Sequence, residues 1–334
     1  MTEADNATTW TPQSRGRYEV YYLTWNHPAT DQGFWLRYTM EAPLDGPARA
    51  ELWFARFDPR DPSRTFGVHR AFDASQFAAT AEPFQLTIAG ATLAHAGARG
   101  DFTGDGHRME WDLRWQPAPE TLRLLPDLAY ARKIGDSSVV SPNPRVAMTG
   151  RVTIDGDTLS FDGVPLGQSH INGTKHAYEW TWGRCADFAG APDALLELFG
   201  TRLRRRGVTL PRMMLVTLDL DGEHHRLNQF RHVALNRGRW TPGHVTFSAQ
   251  SPTLKIEGEL TADPRDLMTA PYVDPDGTEV YCMNTEIGDA RVVVSRRGLV
   301  RWHEVRRLEG KRRAHFEVAG RAPDPRVTAL HIGV

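Results

Sequence analysis

Residues 109–115 read MEWDLRW. In an extended chain Met109, Trp111, Leu113 and Trp115 fall on one side, and Glu110, Asp112 and Arg114 on the other. That alternation marks an antiparallel strand with one face buried and one wet. The same texture recurs outward from it. RYEVYYLTW (17–25), GFWLRYTMEAP (33–43) and ARAELWFARFD (48–58) are aromatic and β-branched runs separated by turn residues. RVAMTGRVTIDGDTLSFDGV (145–164) turns at Asp155-Gly156, and RMMLVTLDLDGEHHRLNQFRHVAL (212–235) at Asp221-Gly222. Asp-Gly between alternating runs is a strong hairpin signal. DALLELFGTRLRRRG (193–207) suits a helix face by spacing, but its neighbours are strands and it reads as one of them. LRLLPDLAYARKI (122–134) reads as a short helix or an irregular connection.

The chain has 334 residues, of which 40% are hydrophobic, enough for two domains or one large β protein. Closing many short strands into barrels removes their sticky edges. The reading is therefore all-β, with two antiparallel β-barrels. The break is expected at SVVSPNPRVAM (138–148), where two prolines interrupt the pattern. This gives a disordered segment or arm over 1–17, a first barrel over 18–145 and a second over 146–334. Lys+Arg number 40 against 41 Asp+Glu, so no global field favours nucleic acid. The local clusters Arg202, Arg204, Arg205, Arg206 and Lys311-Arg312-Arg313 read as solvated ends, the second in a hairpin turn. The acidic opening lacks an apolar signal segment and no window is long and apolar enough to span a membrane, so a cytoplasmic protein is expected. Cys185 and Cys282 read as two isolated thiols, with a single bridge as the alternative. No dinucleotide, P-loop, HExxH or CxxC pattern occurs, and no cofactor is expected.

The reactive side chains concentrate in GQSHINGTKHAYEWTWGRCADF (167–188). If 176–184 is a strand, His176, Tyr178, Trp180, Trp182 and Arg184 share one face. That face is aromatic with polar tips and suits a cavity wall; the alternative is tryptophans filling a barrel core. His170, His176, Cys185 and Asp187 are metal-ligand types, but their spacing fits no known site and Cys185 falls on the other strand face, so no metal is expected. Acid–base chemistry in an apolar pocket needs a carboxylate of raised pKa, for which Glu110, Asp112, Glu179 and Asp187 are candidates. Tyr272 and Asn284 are placed to orient a ligand oxygen, and Asp274-Pro275-Asp276-Gly277 reads as a structural turn. Ser169 lies in no nucleophile elbow.

Three spaced stretches carry a family likeness: YEVYYLTWNHPATDQGFWLRYTMEAP (18–43), the 167–188 segment, and YVDPDGTEVYCMNTEIGDARVVV (272–294). In this order they resemble the lipocalin-like AttH/CrtC-type two-domain proteins, which include carotenoid 1,2-hydratase, tocopherol-cyclase-like proteins and fungal pericyclase relatives. The resemblance implies two lipocalin-like (calycin) barrels holding an apolar isoprenoid, polyene or polyketide-like molecule, with hydration, cyclisation or isomerisation as the chemistry. A non-catalytic carrier or interaction protein is the alternative. His170, Gly173, His176, Trp182 and Gly183 match the family's central motif. Asn172 stands where a tryptophan is expected and implies a more polar pocket. On this reading His170, His176, Arg184 and Glu179 carry the polar chemistry. Trp35, Trp111, Asn172, Tyr178, Trp180, Trp182, Tyr272 and Asn284 line the ligand.

Overall fold

The computed structural model describes residues 2–205 and 207–329, so Arg206 of the basic run lies outside the described residues. The first sheet contains β1 (Arg17–Asn26), β2 (Gly33–Ala42), β3 (Arg49–Phe57), β4 (Phe66–Asp73), β5 (Phe77–Ala81), β6 (Phe84–Ile88), β7 (Ala91–Ala94), β8 (Gly97–Gly104), β9 (His107–Trp115), β10 (Leu122–Arg123), β11 (Ser137–Ile154) and β12 (Asp157–Gly173). Their order is 4-3-2-1-12-11-9-8-7-6-5, with β10 on β11. The ends curl together: Arg70 Nη1 on β4 donates to Thr103 O on β8 at 3.3 Å. A short helix α1 (Asp127–Ala131) sits between β10 and β11.

The second sheet contains β13 (Glu179–Cys185), β14 (Leu195–Arg202), β17 (Met213–Leu220), β18 (Glu223–Leu227), β19 (Arg237–Thr241), β20 (His244–Gln250), β21 (Leu254–Thr261), β23 (Glu279–Arg297) and β24 (Trp302–Gly320). The order is 18-17-14-13-24-23-21-20-19, and β22 (Met268–Val273) pairs with β23 and with β25 (Thr328–Ala329). The strands β15 (Arg204–Arg205) and β16 (Val208–Thr209) form a separate hairpin, and α2 (Phe230–Val233) follows β18. The molecule thus has two antiparallel lipocalin-like β-barrels. No described helix is long and apolar enough to cross a membrane.

Local chemistry explains the turns. Asp155 and Gly156 take φ of 54° and 94°, and Asp221 and Gly222 take 50° and 79°. Both central residues are left-handed, as two-residue hairpin turns require. Residues 195–202 are a strand, and the 122–134 segment holds the helix.

The prolines near 143 do not end a domain. β11 runs through them, with register shifts between Val140 and Asn143 and between Asn143 and Val146. Proline donates no ladder hydrogen bond, and a bulge leaves such a residue unpaired without ending the strand. Residues 146–173 therefore complete the first sheet, and the chain passes to the second only after Gly173. Lys311-Arg312-Arg313 also departs from expectation. It lies inside β24 at an irregularity, not in a hairpin turn. Arg313 reaches Asp187 at 2.9 Å and Asp31 at 2.8 Å, one on each barrel.

Each barrel is filled by its own core. In the first, Tyr21, Leu23, Trp25, Phe34, Leu36, Tyr38 and Trp111 belong to one buried cluster. Its end is closed by the N-terminal arm, where Trp10 packs edge-on against Phe77 and the Tyr21 hydroxyl donates to Asn6 O at 2.7 Å. The second barrel is filled by the cluster around Leu198, Met214, Val245, Ile256 and Phe316.

The barrels meet outer face to outer face. Arg184 on β13 crosses the gap, donating to Thr24 Oγ1 at 3.0 Å and to Pro144 O at 2.6 Å. It fits because Gly167 has no side chain: a Cβ there would lie 2.2 Å from Arg184 Nη1. Gly33 admits Glu286 the same way, at 2.5 Å. Arg184→Met keeps most of the stem volume but loses both cross-barrel hydrogen bonds. It is expected to cost about 3 kcal/mol in urea unfolding, with an unchanged m-value if the native surface is preserved.

Candidate functional site

Where the outer faces diverge, a cavity of about 340 Å³ opens between the barrels. Tyr18, Val20 and Tyr22 of β1 and Ser169 and Ile171 of β12 form one wall. Trp180 and Trp182 of β13, Phe199 of β14 and Leu215 of β17 form the opposite wall. Tyr22 and Trp182 meet edge to face at 5.8 Å across the gap. Residues near α1 and α2 border the opening.

Polar groups converge on this apolar space from three directions. The first is His176. Its ring lies between Tyr18, at 4.5 Å, and Trp180, at 5.1 Å, and stacks on Tyr272 at 5.8 Å. Its Nδ1 is 2.6 Å from Asp274 Oδ1, which also accepts the His176 backbone N–H at 2.9 Å. Asp274 is buried and its carboxylate faces Nδ1, which fixes the orientation of the ring. The second is Glu317 on β24, which lines the cavity and accepts from Trp180 Nε1 at 2.6 Å and Cys282 Sγ at 3.1 Å. The third is a chain behind Tyr22. The Tyr22 hydroxyl is 2.8 Å from Glu286 Oε1, and Glu286 Oε2 is 3.0 Å from His315 Nδ1. His315 Nε2 is in turn 2.7 Å from Asn26 Oδ1.

Burial sets the charge of this chain. It raises the Glu286 carboxyl well above its ordinary range. It lowers His315 well below the usual imidazole value, with Arg184 and Arg313 adding to the effect. It raises the Tyr22 phenol, helped by the neighbouring Glu286 and Glu317. Neutral forms win because a desolvated charge without full pairing is costly. Burial therefore favours the protonated form of Glu286, which lies behind the Tyr22 hydroxyl at the cavity wall.

Known structures share this arrangement of strands. Kievitone hydratase from Nectria haematococca is 10% identical, with 96% of this chain and 92% of that one covered and a TM-score of 0.53. CghA, in a structure with Sch210972, is also 10% identical, covering 94% of each chain with a TM-score of 0.52. A putative AttH from Nitrosomonas europaea is 12% identical over 92% of this chain and 93% of that one, with a TM-score of 0.47. No family model and no curated protein matches the sequence. The chain thus shares its fold with kievitone hydratase and CghA.

Within that fold, the residues singled out in the sequence separate into two groups. His176, Trp180, Trp182 and Tyr272 line the cavity. The others do not. β13 starts at Glu179, so the expected strand face over 176–184 is interrupted: Asp274 holds His176 in the connection, and Tyr178 turns to Arg204 and Arg321. Arg184 is the cross-barrel tie, and Glu179 pairs with Arg202 and Arg212 at 3.3 Å. His170 faces into the first barrel, stacked on Tyr21 and bonded to Glu19 at 2.6 Å and to Asp5 O at 2.7 Å. Asn172 points to that same inner side, two residues along β12, so the departure from the family motif does not reach the cavity. Trp111 is core, donating to the Tyr38 hydroxyl at 3.1 Å. Trp35 and Asn284 bond each other at 3.1 Å in the contact zone, away from the cavity. Glu110, Asp112 and Asp187 engage Arg108, Arg114 and Arg313 respectively. His170, His176 and Cys185 have separate environments, and among the described residues no three His, Cys, Asp or Glu side chains group to hold a metal ion.

Tyr18, Tyr22, Asp274, Glu286 and Glu317 were absent from the expected site. Tyr18, Val20 and Tyr22 share one face of β1, so their parity was a readable signal. Asp274 does sit in a turn, with Gly277 N donating to its carbonyl at 2.8 Å, but its carboxylate also holds His176. Glu286 and Glu317 carried no local signal.

Charge in the contact zone makes stability pH-dependent. Glu197 lies 3.6 Å from Arg184, yet burial raises its carboxyl to about 7. An acid with a folded pKa above its ordinary 4.5 contributes stability that is complete below 4.5 and lost as the pH rises through about 7. Glu197→Gln is expected to flatten this decline in urea midpoints measured across the interval. A remaining slope is expected from Glu41, which burial and Glu51 also raise to about 7.

Proposed function

We propose that the cavity binds a hydrophobic small molecule and catalyses its hydration or cyclisation by acid–base chemistry. The observation that carries this reading is the convergence of the His176–Asp274 pair and the Tyr22–Glu286 chain on one aromatic-walled space. A cavity that only stored an apolar ligand has no need of a buried acid favoured in its protonated form on one wall and an oriented imidazole on another.

For a hydration, the Tyr22 hydroxyl, which donates to Glu286 Oε1 in the resting structure, turns its hydrogen to an alkene carbon and accepts the Glu286 proton in its place. With His176 stacked on Trp180 and Arg37 over Tyr272, Trp182 is the aromatic ring left to stabilise the cation, by roughly 0.5–2 kcal/mol. Glu317 adds a nearby carboxyl group held by two donors. Water forms the new C–O bond and its proton passes to His176 Nε2, then through solvent back to Glu286. The sum is addition of one water. A cyclisation uses the same acid, with an internal nucleophile replacing water and His176 again taking the released proton. The hydratase among the proteins of this fold supports the class of chemistry. An isoprenoid or polyene substrate is the ligand class that fits the aromatic walls.

The protein is to be incubated with a lipid extract and the retained molecules analysed by mass spectrometry. A gain of one water, or a changed absorbance at unchanged mass, supports the enzyme. A ligand returned unchanged identifies a carrier. His176→Ala is expected to weaken turnover or binding at least tenfold, about 1.4 kcal/mol, without loss of folding. Unchanged activity in a folded variant removes His176 from the site. Glu286→Gln is expected to abolish conversion while binding persists, since the amide keeps a hydrogen bond but delivers no proton.

A further inference from the structure

The cavity opening has an unusual border. Five apolar side chains stand exposed there: Leu128, Ile134, Leu210, Phe230 and Leu235, from 37% for Leu210 to 50% for Ile134. Ile134 and Phe230 themselves line the cavity. Leu128 adjoins the lining residue Ala129, and Leu235 follows the lining residue Val233 by two positions. Leu210 donates its amide to the carbonyl of Leu203, another lining residue, at 2.8 Å. Two of these segments are joined directly: Asp127 N donates to Gln229 Oε1 at 3.1 Å, and Asn228 Nδ2 to Arg123 O at 2.8 Å, while the segment with Leu210 reaches the same cavity through Leu203. A contiguous apolar border of this kind on a polar surface marks an interaction site.

Charge identifies the partner. Among the described side chains, segments 124–139, 203–210 and 228–237 carry five lysines and arginines (Arg132, Lys133, Arg204, Arg231 and Arg237) against Asp127 and Asp136. The chain as a whole has a net charge of -1, so this excess is local. Arg231 and Arg237 spend their hydrogen bonds on His232 and on the carbonyls of Ala234 and Asn236, and Arg204 lies over the Tyr178 ring at 5.4 Å. Apolar side chains interleaved with cations match the boundary between acyl chains and anionic headgroups.

We infer that this border docks the protein on an anionic lipid surface, with the cavity opening toward the bilayer. An apolar ligand then passes between membrane and cavity without crossing water. The inference holds for a carrier as for an enzyme, and goes beyond the catalytic reading above.

The test is co-sedimentation of the full chain with vesicles of phosphatidylcholine, alone or mixed with phosphatidylglycerol. Binding is expected to the mixed vesicles and to fall steeply at high salt. Leu128→Asp with Leu235→Asp, and separately Arg132→Glu with Lys133→Glu, are each expected to weaken it at least tenfold. If the apolar pair fails to fold, the charge-reversed pair decides. Wild-type protein that stays in the supernatant overturns the inference, including the case in which light scattering shows a second copy covering the border. Binding that is insensitive to the leucine substitutions overturns it too, since that reports a merely basic surface. Uptake of N-phenyl-1-naphthylamine, measured without vesicles, separates this from the cavity reading. Retained uptake with lost vesicle binding isolates the docking surface, while vesicle binding without any uptake leaves the surface and removes the cavity.

Discussion

The close approach of the two barrels at Gly167 and Arg184 is the contact on which the rest of the structure depends. Each barrel interior is occupied by its own cluster of buried side chains. The outer faces do two things at once. Around Arg184 and Glu286 they close to packing distance, which only glycine at 167 and 33 allows. Around Tyr18, His176 and Trp180 they stand apart and leave the cavity. One interface supplies both rigidity and the site, and a shift at the tie would move the tyrosines relative to the tryptophans.

This arrangement also explains what could be read from the amino-acid sequence. Strand texture is local and periodic, so β9 and the Asp-Gly hairpins were legible with their registers. The boundary near 145 was not, because bulges let β11 carry Pro142 and Pro144 within one strand. Nor was the orientation of the central strands. All ten residues of β2 are buried, including Arg37, Thr39 and Glu41 on its outer face, so a polar residue there does not mark a solvent-facing side. His170 and His176 show the result. Six residues apart in the same motif, one enters the first barrel beside Glu19 and the other faces the cavity beside Asp274.

The residues that sequence reasoning overlooked have a common character. Asp274, Glu286 and Glu317 come from the second half of the chain and act on partners near residues 22 and 176–180. Their neighbours in sequence are ordinary strand or turn residues. Candidate acids beside tryptophans, such as Glu110 and Asp112, were reasonable on local grounds, but strand alternation sends those carboxylates to solvent while Trp111 goes inward. Adjacency in a strand thus separates side chains, and the acid that reaches an apolar space has to arrive from another element.

Burial then decides the state of that acid. In the contact zone Arg184 donates to neutral oxygens of Thr24 and Pro144 and stands 3.6 Å from Glu197. It only partly offsets the rise that burial imposes on the Glu286 carboxyl, and burial lowers the affinity of His315 for a proton. Protonation is the cheaper solution for a carboxyl group so placed. The carboxyl group so favoured in its protonated form lies one phenol away from the apolar space, with the Tyr22 hydroxyl donating to its Oε1. A fully solvated carboxylate would have released that proton at neutral pH, and a fully paired one would have no reason to hold it.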